Sequence, residues 1–205
     1  PLGHRDKMSR LTLIFKNCGY PADVTNWRPV SVQTAFSALL SKIVNTRFLK
    51  TLLSCSLLSK AQRGGIRGHF GVRDNISFLV SALADFFHKK DSGLPASLNL
   101  LVADIAKAFD KVQLHVVLQT LDNLLGKSRA TRLKNLVKQL YTDAHTLLAD
   151  NQGNYRLIQK LSGVLQGDAL SGTLFVLVAN LIPISLGPEH SALACKLANS
   201  ECHPM

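Results

Sequence analysis

The stretch SLNLLVADI, residues 97–105, is apolar almost without a break until Asp104. A strand with one wet face alternates polar and apolar residues. An unbroken run instead predicts a strand covered on both faces, which requires packed layers on either side. The flanking segments supply candidates. Phe36, Leu39, Leu40 and Ile43 recur at helical spacing within residues 32–53, with Arg47 and Lys50 late in the same segment. Asp74 stands where an N-cap is expected ahead of a helix carrying Ile76, Leu79, Val80, Leu83 and Phe87. Leu114, Val117, Leu118, Leu121 and Leu125 mark another helix closed by Gly126. Ser128 is expected to cap the next one, with Leu133, Leu136, Val137 and Leu140 inward and Arg129, Arg132 and Lys138 outward. Residues 145–159 read as a hairpin turning at 151–154, and residues 162–182 as a glycine-bounded turn feeding an apolar helix. Helices, strand, helices, hairpin and helix in that order predict an α+β architecture.

Charge is unevenly placed along the 205 residues. Of 24 Lys plus Arg and 13 Asp plus Glu, residues 1–90 hold 14 and 4, leaving a nearly balanced remainder. The positive field therefore belongs to the N-terminal part, and its expected partner is a polyanion such as nucleic acid or nucleotide phosphate. The charge asymmetry changes near the turn residues 91–95, the best candidate for a subdomain boundary. Cys18, Cys55, Cys195 and Cys202 form no C-x-x-C pair, and the spacing of Cys195, Cys202 and His203 suits no zinc knuckle. Free thiols in a reducing compartment are expected. The longest apolar run, residues 174–184, holds Asn180 and Pro183 and falls short of the roughly 18 residues a membrane span needs. With no signal-like opening, the expectation is a soluble intracellular protein of the cytoplasm or nucleus, without a membrane partner.

Asp104 and Asp110 bracket a short apolar run. A carboxylate at the end of a buried strand is costly unless it is paired or bound to a cation. A capping role at a strand-to-helix turn is the alternative for an isolated aspartate. The two are not a simple chelating pair: six extended residues span roughly 20 Å, and at about 100° per residue a helix puts them on separate faces. If Asp104 holds a metal, its partner carboxylates come from elsewhere in the chain.

Four stretches together resemble reverse transcriptases. DIAKAFDKV (104–112) resembles their first catalytic motif and GVLQGDALSGTLF (163–175) their second core motif. NWRPVSVQTAFSALLSKIVNTRFLKTL (26–52) looks like the N-x-R-P segment and helix that open the fingers of non-LTR retrotransposon (LINE-like) enzymes. QRGGIRGHFGVRDNISFL (62–79) resembles the Q-x-G-F-x-x-G-x-S-x-x-x-N segment that comes next. The resemblance implies a right-hand polymerase fragment, with helices packed on an incomplete antiparallel palm sheet. Residues 1–95 would be a basic fingers-like region and 96–205 a partial palm.

It also implies roles. Asp104 would be a catalytic metal ligand beside the carbonyl of Ile105, whereas Asp110 belongs to the motif but not to the metal set. Phe109 would lie beneath the incoming sugar. Gln166 and Gly167 would lie along nucleotide and template, and Arg28 and Arg63 would grip the triphosphate, a task suited to the planar guanidinium fork. The implied reaction is template-directed DNA synthesis from dNTPs by two-metal phosphoryl transfer, with Mg²⁺ or Mn²⁺ as cofactor and an RNA or DNA template-primer as partner. Gly65 replaces a usual aromatic, and Asp168, Ala169 and Gly172 replace the commoner Cys-Pro and later Pro. The family's paired aspartate, in a Y/F-x-D-D hairpin after the second motif, has no counterpart, because the sequence contains no Asp-Asp dipeptide. The chain is therefore expected to be a fragment that does not polymerise alone. The alternative is a non-catalytic nucleic-acid-binding or degenerate retroelement remnant.

Overall fold

A computed structural model describes residues 3–66, 71–94, 97–100, 102–149 and 152–185. The strands are β1 (Met8–Phe15), β2 (Trp27–Gln33), β3 (His145–Ala149) and β4 (Tyr155–Gln159). The helices are α1 (Ala35–Ser54), α2 (Gly71–Asp91), α3 (Ala108–Lys111), α4 (Leu114–Leu125), α5 (Lys127–Tyr141), α6 (Ala169–Ala179) and α7 (Leu181–Ser185). By spatial contact the chain divides into two compact units, one of Pro1–Leu57 with Lys107–Val178, the other of Leu58–Ala106 with the residues from Ala179 onward. The fingers-like and palm-like ranges implied by the resemblance meet instead at residues 95 and 96.

The first unit is built on a sheet of order β2-β1-β3-β4. Its outer pairs are antiparallel and β1 runs parallel to β3, so the sheet is mixed where an antiparallel one was expected. The parallel junction is reinforced by a hydroxyl pair, Ser9 Oγ to Thr146 Oγ1 at 3.1 Å. The β3–β4 hairpin matches the sequence reading. The β1–β2 hairpin was not foreseen, because a Pro within an apolar run argues against a strand except at a sheet edge, and β2 is that edge.

Helices α4 and α5 pack on each other within this unit. Val117, Leu121, Ala130 and Val137 are fully buried, and an ion pair joins Lys134 of α5 to Asp122 of α4. Gly126, at φ +78, turns the chain between them and is itself the N-cap of α5, so Ser128 lies inside the first turn. Similarly, α2 begins at Gly71 and takes Asp74 into its first turn, where a carboxylate still complements the helix dipole.

Helix α1 faces differently from its apolar pattern. Phe36, Leu39 and Ile43 are exposed, whereas Ser37, Ser41, Phe48 and Leu52 are buried. Hydrogen bonds at Ser37 and Asn45 favour this rotation, while Ser41 Oγ is buried without a partner. Ser37 Oγ donates to the Asp6 carbonyl, and Thr173 Oγ1 of α6 donates to Asn45 Oδ1 at 2.5 Å. Small hydroxyl residues also let neighbouring backbone approach closely, since interaxial distance follows side-chain size.

The second unit departs furthest from expectation. Residues 97–100 and 102–105 belong to no sheet, and they are exposed, Val102 by 82%. A strand needs a ladder partner, and among the described residues none pairs with this run. The α2 side chains expected inward, Ile76, Val80, Leu83 and Phe87, are exposed as well. Cys18 and Cys55 are free thiols, as expected; Cys195, Cys202 and His203 lie outside the described residues.

Leu121→Ala should cost about 3 kcal/mol by urea denaturation, because a fully buried leucine leaves a cavity. Leu39→Ala, despite its place in the apolar pattern, should stay within about 0.5 kcal/mol. Equal costs would contradict the observed facing of α1.

Candidate functional site

Five residues singled out in the sequence, Arg28, Phe109, Asp110, Gln166 and Gly167, belong to the first unit. Asp104, Ile105 and Arg63 belong to the second. Within the first unit, the two core motifs meet. Phe109 and Asp110 lie on the single turn of α3, whose N-cap Lys107 is left-handed at φ 53. The Phe109 carbonyl accepts the Val164 N–H at 2.9 Å. Gly163, at φ +79, lies so close that a Cβ there would come within 2.7 Å of both the Asp110 Cα and the Phe109 carbonyl oxygen. The Phe109 ring packs at a tilt on Phe175 of α6, centroids 5.6 Å apart.

Three residues further, the turn reaches β2. The Ser31 N–H donates to the Gln166 carbonyl at 2.7 Å. Gly167 adopts φ +109, and a Cβ would stand 2.7 Å from the Ser31 carbonyl oxygen and 3.1 Å from Val30 Cγ1. Glycine is required there twice over, by its backbone angle and by the close approach.

A cavity of about 370 Å³ opens beside this turn, with Pro29, Ser31, Asp110, Ile158, Lys160 and Gln166 among its walls. Arg28 is exposed and is not in that lining; it alternates along β2 with Pro29 and Ser31, which are. Lys160 donates from Nζ to the Val164 carbonyl at 2.8 Å. Burial lowers its pKa, and the Asp110 charge partly opposes that shift. Sequence reasoning did not pick out Lys160, since a lysine after a strand carries no sign of its burial. Nor did it pick out Tyr141, which donates to the buried Asp168, the residue following Gly167.

In the second unit Asp104 and Ile105 are exposed and Arg63 is half-buried. The buried strand end assumed for Asp104 is thus an exposed, irregular segment. The backbone carbonyl of Arg63 packs against Gly71, leaving no room for a Cβ at the start of α2. No three His, Cys, Asp or Glu side chains among the described residues lie close enough together to hold a metal ion. A near-octahedral oxygen site needs more ligands than Asp104 and one carbonyl, so these residues alone do not fit a complete divalent centre. No helix among them is long and apolar enough to cross a membrane.

The fold is of the right-hand polymerase kind: it is similar to apo telomerase from Candida Tropicalis, with TM-score 0.51 and 14% identity over 86% of this chain and 35% of that one. A form truncated from its C-terminal domain gives TM-score 0.53 and 18% identity, covering 87% of this chain and 39% of that one. The family model for "Reverse transcriptase (RNA-dependent DNA polymerase)" matches residues 16–195, and the chain belongs to that family. Its relatives place it in the non-LTR class. It is 30% identical over 174 residues to the retrovirus-related Pol polyprotein of type-1 retrotransposable element R2 from Nasonia vitripennis, covering 85% of this chain and 16% of that protein. It is also 30% identical over 154 residues to the transposon TX1 149 kDa protein of Xenopus laevis, covering 75% and 11%. The chain thus spans a small part of the relatives it matches. Polymerases of this family use divalent metal ions and bind a nucleic-acid template.

Gly167→Ala should destabilise the first unit by about 2 kcal/mol or more in urea denaturation, from positive φ and the clash with β2 combined. A neutral result would mean the turn does not rest on β2. A second expectation concerns pH. The native state binds the Lys160 proton less tightly than the unfolded chain does. Stability should therefore rise with pH between the lowered native value and the ordinary lysine value of 10.5. Lys160→Met should flatten that part of the stability curve, and an unchanged slope would assign it to other groups.

Proposed function

We propose that this chain contributes part of the active centre of a non-LTR reverse transcriptase, which in the whole protein copies a template into DNA from dNTPs. The observation that supports this best is the assembly of three motif stretches in one unit: α3 with Phe109 docked on the second-motif turn, and that turn seated on the strand carrying Arg28. Gln166 and Gly167 are assigned to the nucleotide and template, where a bare backbone permits close approach. Phe109 is assigned to the sugar of the incoming nucleotide, and Arg28 and Arg63 to its phosphates. Asp104, with the Ile105 carbonyl, is assigned to Mg²⁺ or Mn²⁺, two ions of which would supply charge neutralisation at the reacting phosphate. In that assignment residues 1–95 act as fingers and 96–205 as part of the palm. Its template and nucleotides would put the protein in the cytoplasm or nucleus.

A second reading rests on one observation: the net charge is +11, with 14 of the 24 basic side chains in residues 1–90 against 4 acidic ones. In that reading the chain binds nucleic acid without chemistry.

Primer extension by the whole protein separates the two. Asp104→Ala should reduce extension by on the order of a thousandfold while leaving duplex binding, and its steep loss with rising salt, intact. Unchanged extension would remove Asp104 from the metal role. A wild-type protein that binds salt-dependently and never extends a primer would favour the second reading.

A further inference from the structure

We propose that the contact between Tyr141 at the end of α5 and Asp168 at the head of α6 is a positioning device that fixes where the Gln166–Gly167 turn sits against β2. The inference deepens the function proposed above, because that turn is the one assigned to nucleotide and template.

Both side chains are buried, each 7% exposed. The Tyr141 hydroxyl donates to Asp168 Oδ2 and lies 3.0 Å from Ser171 Oγ. Ser171 Oγ donates to the same carboxylate oxygen at the long distance of 3.5 Å, and Oδ1 is buried with no hydrogen-bond partner in the described structure. The tyrosine is thus the principal donor to a buried charge. Burial, and next the charge of Asp168, hold the Tyr141 pKa well above its ordinary value, so the hydroxyl keeps the proton it donates.

The carboxylate is not used as an aspartate at a helix start ordinarily is. A capping side chain accepts a backbone N–H two or three residues on. Here Ser171 N–H goes instead to the Asp168 backbone carbonyl, at 3.3 Å, and the side chain reaches out to α5. Asp168 N–H in turn donates to the Leu165 carbonyl at 3.1 Å, closing the turn that presents Gln166 and Gly167. The turn is held from two sides. Ser31 of β2 holds it through the Gln166 carbonyl, and Tyr141 of α5 holds it through the next residue but one.

The Ser31 amide reports this arrangement without any need for activity. It points off the sheet edge to Gln166, whereas Val30 and Val32 on either side belong to the β1 ladder. Hydrogen exchange resolved at single amides in the whole protein should show Ser31 exchanging at least about tenfold faster in Tyr141→Phe, relative to Val30 and Val32. Asp168→Asn keeps an acceptor for the tyrosine and should stay within about twofold of wild type by the same measure.

The variant Tyr141→Phe with Asp168→Asn decides between positioning and mere stability. Removing the buried charge should recover part of the thermal stability lost in Tyr141→Phe, since an unpaired amide costs less to bury than an unpaired carboxylate. The tether is still absent, so Ser31 should remain fast. If Ser31 protection recovers together with thermal stability, or if it never separates from that of Val30 and Val32, the proposal is overturned.

In primer extension, Tyr141→Phe should raise KM for the incoming nucleotide about fivefold with kcat within about twofold. Equal loss in both would also overturn it. If the wild-type protein does not extend primers at all, the functional reading fails, and the exchange pattern still judges the positioning role.

Discussion

A sheet edge is a row of unpaired backbone groups, and the way β2 meets that problem organises the first unit. Alternate N–H groups of an edge strand point outward. On β2 the outward positions include Pro29, which has no N–H, and Ser31, whose N–H is taken by the Gln166 carbonyl. The turn can reach so far only because Gly167 has no Cβ to meet the Ser31 carbonyl. The same chain segment that satisfies the edge is the second core motif, so closing the sheet and placing the motif are one event. Upstream in that segment, Val164 and Gly163 fasten α3 by its backbone, which brings Phe109 to the same place.

Helix α1 shows a different compromise. Its buried side begins with Ser37 and Ser41 and turns apolar only at Phe48 and Leu52. A stripe led by Phe36, Leu39 and Ile43 would bury more apolar area, at roughly 25 cal/mol per Å². What holds the helix in its observed rotation is directional: the Ser37 hydroxyl on the Asp6 carbonyl and Asn45 on Thr173 of α6. Rotating the helix to bury Phe36 would strand those groups, and an unsatisfied buried polar group costs about as much as a buried leucine side chain returns.

The parts of the fold legible in the sequence are those where period and punctuation agree. Helices α4 and α5, divided by Gly126, show apolar spacing bounded by a residue that ends it, and the β3–β4 hairpin shows the same around its polar turn. Where the two signals conflict, the reading fails: Pro29 hid β2, and a hydroxyl-lined face hid the orientation of α1. Residues 97–105 fail for another reason, since apolarity reports a wish for cover without naming the cover. At the candidate site, Gly167 was marked by the motif resemblance, and its backbone angle with the close approach of Ser31 shows why a glycine stands there. Tyr141 carried no such mark, because only the fold brings the last residue of α5 to the turn before α6.

Burial falls on a different aspartate, Asp168, from the one at which the sequence suggested it, Asp104. A carboxylate taken from water needs donors or a cation, and a buried strand end at Asp104 would have required one. Asp104 is exposed, so water already satisfies it and nothing in its surroundings demands a partner. An exposed carboxylate can meet an incoming cation without first losing a protein partner, which suits a ligand and gives the fold nothing. Asp168 bears the burial, and the fold answers with Tyr141 and Ser171. Its Oδ2 is committed to the tyrosine and its Oδ1 is buried, so the side chain is held in place rather than open to solvent. Burial thus separates the acid available for chemistry from the acid committed to structure, although both stand in motifs where spacing alone would give them the same weight.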